Sequence, residues 1–91
     1  MRFLGITHMA VITVSFVDHN TDAAFVRRVV NGVLGATAVT DISFAGPFAR
    51  AVIPRWPQTP MAKWARTRLE EGSEVRMVYD PPLFWRCRLR T

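Results

Sequence analysis

Apolar and polar residues alternate from Met9 to Val17, with Ile12, Val14 and Phe16 on one side and Thr13 and Ser15 on the other. A period of two, rich in β-branched residues, predicts a strand with one buried face. The turn His19-Asn20-Thr21-Asp22 follows and offers helix caps. Phe25, Val26, Val29, Val30 and Val33 then recur at helical spacing, with Arg27, Arg28 and Asn31 on the outer face. Gly32 and Gly35 bracket the predicted end of this helix. Val39 to Phe44 reads as a second strand with Ile42 and Phe44 inward. Ala45-Gly46-Pro47 breaks it, and Phe48 to Ile53 is the third strand, so the two should form a hairpin.

Pro54 and Pro57 close the third strand. Thr59-Pro60 predicts a helix start, because threonine caps and proline fits the first helical position. Met61, Trp64, Ala65 and Leu69 line one face of that helix, and Gly72 stops it. Trp64 and Trp85 read as core residues. Trp56 could cover the core edge or project. Glu74 to Tyr79 is an extended arm, Asp80-Pro81-Pro82 turns the chain, and Leu83 to Arg90 is the last strand.

The order β-α-β-β-α-β predicts an α+β, ferredoxin-like sandwich, with two helices on one face of a four-stranded antiparallel sheet. One domain spans 1–91, with its core at about 9–91 and residues 1–8 as a short N-terminal extension. The other sheet face is left open. The last strand shows what stands there. Leu83, Trp85, Cys87 and Leu89 share the inward side; Phe84, Arg86, Arg88 and Arg90 share the outward side. In the third strand Ala49, Ala51 and Ile53 point inward, and Phe48, Arg50 and Val52 outward. Guanidinium groups neutralise phosphates and stack on bases, and exposed rings offer stacking platforms. The same residue types also anchor protein interfaces. Outward arginine could alone be a solvated face; the two outward phenylalanines weigh against that.

Charge sharpens this picture. The net charge is +5, and the excess lies wholly in residues 46–91, where nine basic residues meet Asp80, Glu70, Glu71 and Glu74. A clustered excess points to a phosphate-bearing or acidic partner. Eleven of the twelve basic residues are arginine, so solubility together with a compositional bias is the other reading of that excess. No paired carboxylates, no Ser/His/Asp set and no phosphate-cradling glycine loop are readable, which makes an enzyme the least favoured class, and no small-molecule substrate is expected. Cys87 is the one cysteine, and His8 and His19 stand apart, so neither disulfide, metal nor cofactor is expected. Met1-Arg2-Phe3-Leu4 opens like a secretory segment, but Gly5, Thr7 and His8 break the apolar run. The expectation is an intracellular protein without a membrane span.

Thr21-Asp22-Ala23-Ala24-Phe25, Leu34-Gly35 with Val39 and Ile42, and Phe48 to Ile53 resemble the RNA-recognition-motif (RRM) family over nearly the whole chain. Ala49 to Ile53, Trp56, Thr59-Pro60 and the tail Val78-Tyr79-Asp80-Pro81-Pro82-Leu83-Phe84-Trp85 are most similar to the small single-domain RRM-like proteins of large DNA viruses. That resemblance implies a place in the host cytoplasm or nucleus, or in the virion. RNA-binding members carry one ring on the first strand and two on the third; the corresponding positions here are Thr13, Phe48 and Arg50, so one ring remains. The expected function is non-catalytic binding of single-stranded nucleic acid, RNA foremost, through Thr13, Phe48, Arg50, Val52, Phe84, Arg86, Arg88 and Arg90. The alternative is a protein partner or a second copy on the same face.

Overall fold

The computed structural model describes residues 9–15, 17 and 20–90. The elements are β1 (Ala10–Ser15), α1 (Ala23–Leu34), β2 (Asp41–Ala45), β3 (Phe48–Ile53), α2 (Pro60–Glu70), β4 (Val75–Asp80) and β5 (Leu83–Leu89). The strands form one antiparallel sheet in the order β2-β3-β1-β5-β4. Phe16, His19 and the N-terminal extension lie outside the described residues.

The sheet has five strands, where the sequence pattern predicted four. The expected arm is β4, and it joins the edge of the sheet along β5. Val75 stands opposite Cys87 and Met77 opposite Trp85. Both inward side chains are buried, and that burial turns an extended segment into a paired strand.

The core lies between one sheet face and the two helices. Ile12 and Val14 from β1, Ala49, Ala51 and Ile53 from β3, and Trp85 and Cys87 from β5 meet Val26, Val30 and Leu34 from α1. Valine is a weak helix former, and its burial at i, i+4 intervals outweighs that preference. Asp22 caps α1 by accepting from the Phe25 N–H at 2.8 Å. Gly35, with φ of 75°, ends the helix, and Gly32 is helical. Asn31 is not a solvated outer residue. Its Oδ1 accepts from the N–H groups of both Ala38 and Val39 at 3.0 Å, and so ties the helix to the chain entering β2.

α2 meets the core through Ala62, Ala65 and Leu69, while Met61 and Trp64 are exposed. The expected face was therefore rotated by about one residue. Two alanines allow the helix to sit close to the sheet, which a tryptophan on that face would prevent. Trp56 fills the core edge instead, buried, with its indole N–H donating to the Ala62 carbonyl at 2.8 Å. Phe44 and Leu83, expected inward, lie at sheet ends and are exposed.

The Thr59 side chain joins the helices. Its hydroxyl donates to the Leu34 carbonyl and accepts from the Ala62 N–H at 3.1 Å. A Cβ placed on Gly35 would stand 3.3 Å from Thr59 Cγ2. Gly35→Ala is therefore expected to cost about 1–2 kcal/mol, from left-handed backbone strain and that crowding. Thermal unfolding followed by circular dichroism measures it; an unchanged melting temperature would contradict this account of the helix end.

Candidate functional site

The sheet face away from the core collects all eight sequence-predicted residues. Thr13 is at its centre, paired with Arg50 on β3 and Arg88 on β5. Ser43 on β2 flanks Arg50. One row along, Ser15 pairs with Arg86, and Arg86 with Arg76 of β4. In the opposite direction Val11 pairs with Val52, and Val52 with Asp41. Arg90 follows the end of β5, where its N–H donates to the Val11 carbonyl at 2.8 Å. Strand alternation explains the grouping: a residue two positions from an outward one is also outward. Among the described residues, no helix packs over this face.

The rings are placed less favourably than the arginines. Phe48 (39 % exposed) and Phe84 (36 % exposed) stand near the same end of β3 and β5, two strands apart. Strand spacing sets them on the order of 10 Å apart across the sheet. Two bases resting on them would be splayed rather than stacked together.

Glu74 and Arg76 also belong to this face, and sequence reasoning missed both. The Glu74 carboxylate draws in three guanidinium groups, Arg86 and Arg88 at 3.6 Å and Arg76 at 3.8 Å. Arg76 also lies over the Phe84 ring, 4.8 Å from its centroid. One carboxylate thus holds three arginine side chains in a cluster that keeps an excess of positive charge. These pairs are solvent-facing and contribute little stability; their effect is to orient the donors. The signal was present only in the register. Glu74 and Arg76 reach Arg86 and Arg88 because Arg76 stands opposite Arg86.

The opposite face holds an aromatic cluster. Tyr79 stacks on Trp85 with centroids 4.5 Å apart, and Phe25 meets Trp85 edge-on at 5.8 Å. Cys87 lies beside it, buried. Burial pushes its thiol up to about 12, with the negative charge of Glu74 acting in the same direction. Only the thiolate alkylates readily, so iodoacetamide at about pH 8 should label the unfolded chain and spare the folded one. The unfolded thiol ionises near 9. Its contribution to stability is thus intact below that pH and declines as pH rises toward 12. Rapid labelling of the native protein would place Cys87 outside the core.

No protein-family model, curated protein or solved structure matches the chain. Among the described residues, no helix is long and apolar enough to cross a membrane, and no group of three histidine, cysteine or acidic side chains could hold a metal ion.

Proposed function

We propose that this protein binds single-stranded nucleic acid, RNA foremost, on the open face of a ferredoxin-like, RRM-like sandwich that carries one added edge strand. The element order up to α2, with β1 between β3 and β5, supports that reading of the fold. One observation carries the function: Arg50, Arg86 and Arg88 emerge from adjoining rows of a sheet face that no described helix covers, around Thr13 and Ser15. Phosphates would meet the guanidinium groups, and single bases would rest on Phe48 or Phe84. With hydroxyl groups between the arginines and the rings set apart, recognition would follow backbone charge more than sequence.

Anisotropy titrations of labelled single strands over a range of salt concentrations test the proposal. Binding that weakens steeply with salt supports it, and absence of binding at low salt removes it. A second reading rests on exposed Val78, Leu83 and Phe84 at the β4–β5 end, an apolar surface suited to a protein partner or a second copy. A dimer, or a stoichiometric partner retained after nuclease treatment, would favour that reading.

A further inference from the structure

Half of the Trp64 surface is exposed (50 %), an unusual state for the largest apolar side chain. The indole lies in a shallow groove between the last turn of α1, the first turns of α2 and the edge strand β4. Gly32 and Val33 form one wall, Pro60 and Met61 the other, and Val78 closes it. A Cβ on Gly32 would meet nothing within 4 Å, so that wall is open.

The charges around this groove are cationic. The Arg68 guanidinium lies 5.6 Å from the Trp64 ring centroid. Arg76 lines the groove as well, and it is the same side chain that lies over Phe84 on the sheet. Glu74, which lines the adjoining pocket beside Trp64 and Arg68, is engaged with three arginines. Arg76 therefore bridges two exposed rings around the sheet edge, Phe84 on one side and Trp64 on the other.

We propose that Trp64 is a further base-stacking site for single-stranded nucleic acid, reached from the open sheet around β4 by way of Arg76. This rests on the nucleic-acid reading of the sheet. Charge complementarity selects the occupant. An apolar peptide would leave Arg68 with no counter-charge and Arg76 with only its share of Glu74, whereas a polyanion with flat bases uses the ring and both cations together.

The experiment uses the whole protein with oligouridylates of about 6 and about 12 nucleotides, lengths within the range of single-strand sites. Trp56 and Trp85 are buried, so a stacking-dependent change in tryptophan emission reports Trp64. Quenching by the longer strand is expected. Trp64→Ala should weaken the longer strand at least about fivefold and leave the shorter one unchanged, and Trp64→Phe should restore part of the loss. Unaltered circular dichroism would show that the variants fold. Tight binding of both strands with unchanged emission and no effect of Trp64→Ala overturns this inference and leaves the sheet reading intact. Failure of both strands to bind the wild type at low salt overturns both proposals. Loss of a dimer on Trp64→Ala, seen by light scattering, assigns the groove to protein contact and also overturns it.

Discussion

Replacing Trp85 with alanine is expected to lower the melting temperature by roughly 12–40 °C. Its indole is buried between the helices and the sheet, stacked on Tyr79 and met edge-on by Phe25. Removing a buried tryptophan costs about 3–5 kcal/mol. In a domain this small each kcal/mol is worth about 4–8 °C. Such a loss takes a large part of a total stability of about 5–15 kcal/mol. The result bears on function, because Trp85 and the arginines that follow it, Arg86 and Arg88, leave β5 on opposite faces. A drop of less than about 5 °C with intact near-ultraviolet circular dichroism would mean that Trp85 is outside the core. The arginines would then face the helices, and the proposed binding face would not exist.

The second large effect concerns that face directly. Arg50 and Arg88 flank Thr13 from the two neighbouring strands. Each phosphate contact on a single strand contributes about 0.7 to the slope of log affinity against log salt. The double variant Arg50→Ala/Arg88→Ala should therefore flatten that slope by about 1.4 and weaken binding roughly 25-fold near 0.1 M salt. Both side chains are exposed, so stability should change little. Glu74→Gln should act in the opposite sense. Removing the carboxylate frees Arg76, Arg86 and Arg88 from an internal competitor, so affinity and salt slope should both rise. Equal affinity in the double variant and the wild type would show that any ligand bypasses this face.

Much of this surface is legible without coordinates. The alternation in Leu83 to Arg90 separates arginine from tryptophan before any neighbour is known. The third strand and the Thr59-Pro60 helix start are equally local, the first resting on a period of two and the second on a cap. What was not legible depended on partners. Glu74 to Tyr79 becomes a strand because Cys87 and Trp85 stand across from Val75 and Met77. The Glu74 cluster follows from that pairing and from no spacing within the segment. Trp64 was misplaced for a related reason. Helical periodicity allows either of two adjacent stripes on α2, and hydrophobicity favours the one with Met61 and Trp64. The close approach of the sheet selects the stripe with Ala62, Ala65 and Leu69.

The turn between β2 and β3 has a consequence for timing. It consists of Gly46 and Pro47 alone, and the Val17 N–H donates to the Pro47 carbonyl at 2.7 Å, pinning the turn to the end of β1. A connection so short and so anchored cannot fold over a bound molecule. A ligand on this sheet would be held from beneath, with no described residue above it, so it would leave quickly. High occupancy would then come from abundance and rapid rebinding rather than from long residence.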